Sequence, residues 1–241
     1  MTKSKSQKQE VQAIIKACAD RKRKSLDLAD YYLAELPTKL LELQWLEEIN
    51  LTSCGLKYLP SWIGDFPNLK RLYLSSNFIE YIPNEISKLS NLKQLYLRLN
   101  QLKEFPQAII TLSELEVLSL AFNKIQEIPS EISKLPQITY LFLDKNQIEY
   151  LPEEIYLLRK LVALDISLNK IQDLSPEIGK LSKLKALYIN GNLIEYLPPT
   201  MSQLTNLVKL EIDIEKLAFL HKGLDGLTYL SRRQINNRYT P

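Results

Sequence analysis

The chain has 241 residues, of which 45% are hydrophobic and 24% charged, and its formal net charge is +3. This composition is sufficient for one domain with a sizeable core. It contains no apolar run near the ~20 residues that a membrane helix needs. Cys18 and Cys54 lack the spacing of metal ligands, so they favour a reducing compartment over a disulfide framework.

The N-terminal segment, residues 1–24, is predicted to form an amphipathic helix over residues 7–24. Val11, Ile14, Ile15 and Cys18 follow helical spacing, and the apolar stripe that they form can cap the open end of a repeat array. The segment carries eight basic residues against two acidic ones, a net of 8 − 2 = +6. Its basic cluster at residues 21–24 leaves nucleic-acid binding as an alternative, although we expect no nucleic-acid partner. The segment is too polar for a secretory signal, so we expect a cytoplasmic protein, with export by a route without a cleaved signal left open.

From residue 25 onward the chain repeats with a period of 23 residues. One column of the repeat is asparagine, at Asn77, Asn100, Asn123, Asn146, Asn169 and Asn192. Two strand columns of Leu or Ile begin at Leu26 and Leu28 and run through nine repeats, which gives a repeat domain over residues 25–230. Residues 231–241 are polar and are predicted to form a tail or cap.

Each repeat reads Leu-x-x-Leu-x-Leu-x-x-Asn-x-Leu, followed by Ile-Pro-x-x-Ile-x-x-Leu, as in residues 69–89. This pattern resembles the leucine-rich-repeat family. The resemblance is to bacterial proteins of the spirochaete type, whose repeats are 23 residues long, and to the repeat segment of Roco proteins. The resemblance implies an α/β fold: a curved, right-handed solenoid with a parallel sheet on its concave face. Short α or 3₁₀ segments, each opened by proline at its first turn, are predicted for the convex face.

The recurring asparagine is predicted to be structural, because its amide can donate to and accept from the turn backbone and so be buried at low cost. Cys54 stands in the asparagine column of the second repeat and is predicted to be a buried, unreactive thiol.

The concave face is the predicted partner-binding surface, because outward-facing strand positions are rich in aromatic residues and arginine. The candidate residues are Arg71, Tyr73, Tyr96, Arg98, Phe122, Tyr140, Phe142, Asp144, Asp165 and Tyr188. An alternative is that these aromatic rings only stabilise neighbouring repeats. A second column, Tyr58, Tyr81, Tyr150 and Tyr196, is predicted to lie along the edge beyond the strands.

Catalytic and metal-binding patterns are scarce in the sequence. The single histidine, His221, lies in a degenerate repeat, and no phosphate-binding loop or His/Cys cluster is evident. Asp144 and Asp165 fall on adjacent strands, but an acid/base pair needs a pocket, so they are interpreted as charges of a binding face. We therefore expect no catalytic residues, no metal and no cofactor.

The sequence thus predicts a non-enzymatic, monomeric module that binds another protein. The family resemblance adds a bacterial, host-directed effector or virulence role as an alternative, or the recognition part of an enzyme complex such as a ubiquitin ligase or GTPase. Carbohydrate binding is also conceivable, because tyrosine rings stack on sugars. The identity of the partner is not encoded in these patterns.

Overall fold

The structure, a computed structural model, describes residues 2–33, 35–213 and 235–236. Within these ranges one helix precedes a single parallel sheet whose strand order follows the sequence order. The sheet has ten short strands: β1 Ser25–Asp27, β2 Glu48–Asn50, β3 Arg71–Tyr73, β4 Gln94–Tyr96, β5 Val117–Ser119, β6 Tyr140–Phe142, β7 Ala163–Asp165, β8 Ala186–Tyr188, β9 Lys209–Glu211 and β10 Ile235–Asn236.

Neighbouring strands from β1 to β9 pair in the register of the 23-residue period, so Leu72 lies beside Leu95 and Tyr73 beside Tyr96. The residue between the two strand leucines therefore stacks on its counterpart in the next repeat. β10 pairs with β9 through Ile235 and Leu210, a spacing of 25 residues. This strand lies in the segment predicted to be a polar tail or cap, and the strict period does not predict it. The division into residues 1–24, 25–230 and 231–241 stays a prediction.

The N-terminal helix α1 spans Thr2–Asp20, whereas the sequence predicted residues 7–24. It ends early because Lys22 adopts a left-handed conformation with φ of 46°. The amide of Arg23 then donates to the carbonyl of Cys18, and that of Lys22 to the carbonyl of Ala19, which is a Schellman motif. Val11, Ile15 and Cys18 are buried, so the predicted apolar stripe does cover the first repeat.

The convex face consists of 3₁₀ helices in the described part of the chain. Their bounds are Thr38–Leu43, Ser61–Asp65, Asn84–Lys88, Gln107–Thr111, Ser130–Lys134, Glu153–Leu157, Pro176–Lys180 and Pro199–Gln203. The recurring proline mostly stands one residue before the helix rather than in its first turn, as at Pro60, where φ is −69° and ψ is 152°. Its carbonyl accepts the first helical bond, from Ile63, and its missing N–H goes unneeded. Among the prolines that the structure describes, Pro176 and Pro199 alone occupy the predicted first turn.

The core is a ribbon of leucine and isoleucine between the sheet and the 3₁₀ helices. The asparagine column runs beside it and is satisfied as predicted. Asn100 illustrates the arrangement: Nδ2 donates to the carbonyls of Leu74 and Leu97, and Oδ1 accepts from the amide of Ile79. In the second repeat the thiol of Cys54 takes this position, with Sγ 3.0 Å from the carbonyl oxygen of Leu28. Cys54 is buried as predicted, and burial raises the pKa of its thiol to about 12; its lack of reactivity stays a prediction.

None of the helices in the described ranges combines the length and apolar content of a membrane span. Within those ranges no group of three or more His, Cys, Asp or Glu side chains is placed to hold a metal ion. His221, the single histidine considered for catalysis, lies outside the described residues.

Candidate partner-binding site

The predicted concave residues lie on strands β3 to β8 or in the turn that follows each strand. All ten candidate residues are half-buried or exposed, so each has surface that a partner can reach. Tyr140 is the most open strand residue among them, with 41% of its surface exposed. The structure thus places the candidates on one accessible face, and partner binding there stays a prediction.

The N-terminal half of the face is an aromatic platform with a basic flank. The rings of Tyr73 and Tyr96 stack with centroids 4.9 Å apart and planes within 2°. Arg71 lies beside them and donates from Nε to Glu48 at 2.5 Å. Parallel register explains the stack, because adjacent repeats put tyrosine at the same strand position.

The C-terminal half is formed by Tyr140, Phe142, Asp144, Asp165 and Tyr188. The rings of Tyr140 and Phe142 lie 6.4 Å apart on one strand and are inclined by only 17°. At the far end, Lys209 lies over the ring of Tyr188, with Nζ 4.9 Å from the centroid. This half therefore combines aromatic and acidic groups.

Between the two halves the face is hollow, because the fifth repeat has small side chains where its neighbours have large ones. Ser119 and Ala121 are buried and form the floor, while Tyr96 and Phe142 rise on either side. The resulting depression has a volume of about 460 Å³. Its full lining is Tyr96, Arg98, Ser119, Ala121, Phe122, Phe142, Asp144, Lys145, Asp165, Ser167, Leu168 and Asn190.

Two cations converge on one aromatic ring at the rim of the depression. The guanidinium carbon of Arg98 is 3.8 Å from the centroid of Phe122, and Nζ of Lys145 is 4.3 Å from it. Arg98 also approaches Asp144, with 3.5 Å between Nη1 and Oδ2. Phe122 thus holds both positive groups on its side of the depression.

The turn before each asparagine forces a left-handed backbone. Leu99 and Phe122 adopt it with φ of 57° and 55°. Bulky residues rarely do so, since the left-handed conformation costs about 1–2 kcal/mol relative to the right-handed one. Gly191 fills the same position in the eighth repeat, where a Cβ would lie 2.5 Å from Cδ2 of Leu168. Large apolar side chains at this strained, solvent-facing column are consistent with a surface role.

Asp144 is the most perturbed acid of the site. Only 13% of its side chain is exposed. Burial, together with the charge of Asp165, raises the pKa of Asp144 to about 6, although Arg98 and Lys145 oppose the shift. Asp165 ends β7, whereas Asp144 lies in the turn after β6 rather than on the strand predicted for it.

Sequence reasoning left several lining residues out of the candidate set. Lys145 belongs to the same column as Phe122, and Ser167 and Asn190 belong to that of Arg98 and Asp144. Their positions in the same repeat columns as candidate residues could have identified them from the sequence. The candidate set favoured aromatic and charged residues, so it omitted the small and amide side chains that shape the depression; Lys145 was left out although it is charged.

The second tyrosine column lies outside the strands as predicted. Tyr81, Tyr150 and Tyr196 are 60%, 58% and 68% exposed. The hydroxyl of Tyr58 is 3.0 Å from Glu35, and that of Tyr150 is 3.2 Å from Glu127. These rings form a separate edge. Between Tyr81 and Tyr150 the same column carries Glu104 and Glu127, which line a depression of about 460 Å³.

A family model described as "Leucine rich repeat" matches residues 44–102, 90–148 and 159–217, which together exceed half of the chain. The chain belongs to the leucine-rich-repeat family. Leucine-rich-repeat folds generally serve as non-enzymatic scaffolds for binding proteins, and the predicted curved, right-handed solenoid is confirmed. A search by sequence against curated proteins finds no significant match.

Solved leucine-rich-repeat structures are similar to this one. The ectodomain of the Arabidopsis thaliana receptor kinase GASSHO1/SCHENGEN3, solved in complex with CASPARIAN STRIP INTEGRITY FACTOR 2, is 30% identical with a TM-score of 0.72; the match covers 79% of this chain and 24% of that one. An internalin, InlF of Listeria monocytogenes, is 25% identical with a TM-score of 0.71, over 90% of this chain and 61% of that one. A Leptospira interrogans leucine-rich-repeat protein is 27% identical over 78% of this chain and 66% of that one, with a TM-score of 0.47. The chain thus spans less than two thirds of the first two proteins.

Proposed function

We propose that the protein is a non-enzymatic recognition module that binds another protein through its concave face. The observation that carries the proposal is the depression between Tyr96 and Phe142, flanked by the Tyr73–Tyr96 stack and the Arg98–Phe122 contact. Tyrosine and arginine dominate binding hot spots because they bury large areas and still make polar contacts.

The comparison with the plant ectodomain supports this use of the fold. That ectodomain was solved in complex with a second molecule, so a repeat solenoid with a TM-score of 0.72 to this one accommodates a partner. Similarity to an internalin is consistent with a bacterial protein of the host interface. That role, like participation in a ubiquitin-ligase or GTPase complex, depends on the identity of the partner.

The proposal is tested by capturing partners on the wild-type chain, identifying them, and measuring their affinity with purified components. The test variant is Tyr96→Ala/Phe142→Ala, and the matched control is Tyr58→Ala/Tyr150→Ala, which removes two aromatic rings from the edge. We expect the concave variant to weaken binding by about 1,000-fold, since two hot-spot truncations at about 2 kcal/mol each cost about 4 kcal/mol. Thermal melting verifies that both variants fold.

Equal binding by the wild-type chain and the folded concave variant would show that these rings serve packing between repeats. A loss confined to the edge variant would move the interface to the tyrosine edge.

A further inference from the structure

We propose that the concave depression receives a basic side chain of the partner protein, lysine or arginine, which donates hydrogen bonds to oxygen atoms of Asp144, Asp165 and Asn190. The inference rests on the proposed function and specifies the chemistry of the partner. It is carried by three acceptor groups from successive repeats that line one cavity.

The first observation is the side chain of Asn190. The residue is only 2% exposed, and its buried Oδ1 accepts no hydrogen bond. A buried acceptor without a donor destabilises the folded state. The ladder asparagines behave differently, as in Asn123, whose Oδ1 accepts from the amide of Leu102 at 3.0 Å. Asn190 lies in the column of Arg98 and Asp144, two residues before the ladder residue Asn192, and its acceptor has no donor within the described residues.

The second observation is the arrangement of the two carboxylates beside it. Asp165 is held by its own turn, since its Oδ1 accepts from the amide and hydroxyl of Ser167 at 3.0 and 2.6 Å. Asp144 lies one repeat away, and 13% of its side chain is exposed. The carboxylates therefore have fixed positions in the wall before any partner arrives, which lowers the entropic cost of binding.

The third observation is that the local cations compensate Asp144 only in part. Arg98 and Lys145 both lie over the ring of Phe122, on the same side of the depression, and the closest Arg98 nitrogen is 3.5 Å from Asp144. The pKa of Asp144 stays raised despite both. An additional cation from the opposite side would stabilise the ionised carboxylate.

The walls suit the stem of a basic side chain. Tyr96, Phe142 and Leu168 offer apolar surface along which methylene groups can lie, while the charged end reaches the oxygen atoms. A partner's acidic side chain would instead face two carboxylates and an amide oxygen, and would have to be drawn by Arg98 and Lys145 alone.

The test uses small probes whose chemistry is known. We would titrate acetyl-tyrosyl-arginine amide into the ¹⁵N-labelled full chain and follow the side-chain amide of Asn190 by NMR. Matched probes carry citrulline, which is neutral and nearly isosteric with arginine, or glutamate. The protein variant is Asp144→Asn/Asp165→Asn. Its control is Glu104→Gln/Glu127→Gln, which removes the same charge from exposed positions outside the strands.

We expect saturable shifts at Asn190 with the arginine probe and at least about tenfold weaker binding of the citrulline probe, because a desolvated charge contact is lost. The Asp144→Asn/Asp165→Asn variant should lose this preference, and the Glu104→Gln/Glu127→Gln control should retain it. Equal affinity for arginine and citrulline, stronger binding of the glutamate probe, or no saturable shift with arginine would each overturn the proposal.

The captured partner separates this inference from the proposed function. If its binding is lost in Tyr96→Ala/Phe142→Ala but unchanged in Asp144→Asn/Asp165→Asn, the concave interface stands and the basic anchor is refuted. If the arginine probe binds while the concave aromatic variant captures the partner normally, the pocket stands and the proposed interface is refuted.

Discussion

Removing one ladder asparagine should destabilise the solenoid far more than removing an exposed asparagine that also makes a hydrogen bond. In Asn123→Ala, three carbonyl oxygens lose the hydrogen bond from Nδ2, but each still accepts one from another donor. The carbonyls of Leu97 and Leu120 accept from the Nδ2 groups of neighbouring ladder asparagines, and the carbonyl of Ala121 accepts from the amide of Leu99. Only the buried amide of Leu102 is left without a partner. We therefore expect a loss of about 2 kcal/mol in the free energy of unfolding, the middle of the range for an orphaned buried group.

The same reasoning ranks two further variants. Oδ1 of Asn77 accepts from the amides of both Cys54 and Leu56, so Asn77→Ala orphans two amides and should cost about 4 kcal/mol. Asn91 donates one exposed bond to the carbonyl of Pro67, so Asn91→Ala should change stability by less than about 0.5 kcal/mol.

Urea unfolding monitored by circular dichroism measures the three variants against the wild type. Slopes that match the wild type show that the comparison is between the same unfolding transitions. If Asn123→Ala costs no more than Asn91→Ala, the ladder is not a buried hydrogen-bond network, and if Asn77→Ala costs no more than Asn123→Ala, counting orphaned amides is the wrong measure.

Three other predictions follow from single contacts. Cys18 and Cys54 are buried and have raised pKa values, so Ellman's reagent at pH 8 should label neither in the native chain and both in urea; rapid native labelling would contradict this. A Cβ on Gly64 would lie 2.2 Å from the carbonyl oxygen of Glu85 in the next 3₁₀ helix, so Gly64→Ala should lower the free energy of unfolding by about 1–3 kcal/mol, and an unchanged urea midpoint would refute the close approach. Burial and the charge of Asp165 raise the pKa of Asp144 from 3.8 to about 6, so the folded state is penalised as Asp144 ionises over this range. Asp144→Asn should therefore gain up to about 3 kcal/mol at pH 7.5, a gain that fades as the pH falls from about 6 toward 4. A pH-independent effect would show that burial and Asp165 do not raise the pKa of Asp144.

The sequence predicts this fold well because every repeat has the same spacing of apolar residues. The spacing of Leu72 and Leu74 predicts a strand, and its recurrence at 23 residues determines which strand lies beside it. The end of the array is less predictable, because β10 departs from the period and pairs at 25 residues. The end of α1 was missed for a local reason: a left-handed lysine, Lys22, closes the helix where glycine or asparagine would have signalled a stop.

The candidate site was predictable as a face but not as a shape. Outward columns indicate which residues share a surface, and they placed Tyr73 beside Tyr96 and Asp144 near Asp165. The depression depends on contrast between neighbouring repeats, since Ser119 and Ala121 matter only because Tyr96 and Phe142 are large. The convergence of Arg98 and Lys145 on Phe122 depends on side-chain rotamers, which no column encodes.

The inward-facing and outward-facing columns of the repeat have different roles. Leucine, asparagine and proline columns set the backbone with little variation, so a change in one outward residue alters the surface while leaving the register intact. The depression shows the consequence: two large-to-small changes in one repeat open a cavity, and acidic and amide side chains in the next three repeats give it acceptor groups. Because Asn190 is buried with an unused acceptor, that part of the face already bears an energetic cost that a donor from outside would relieve. An unused buried acceptor does not improve solubility, whereas in a recognition surface it can accept a hydrogen bond from a partner.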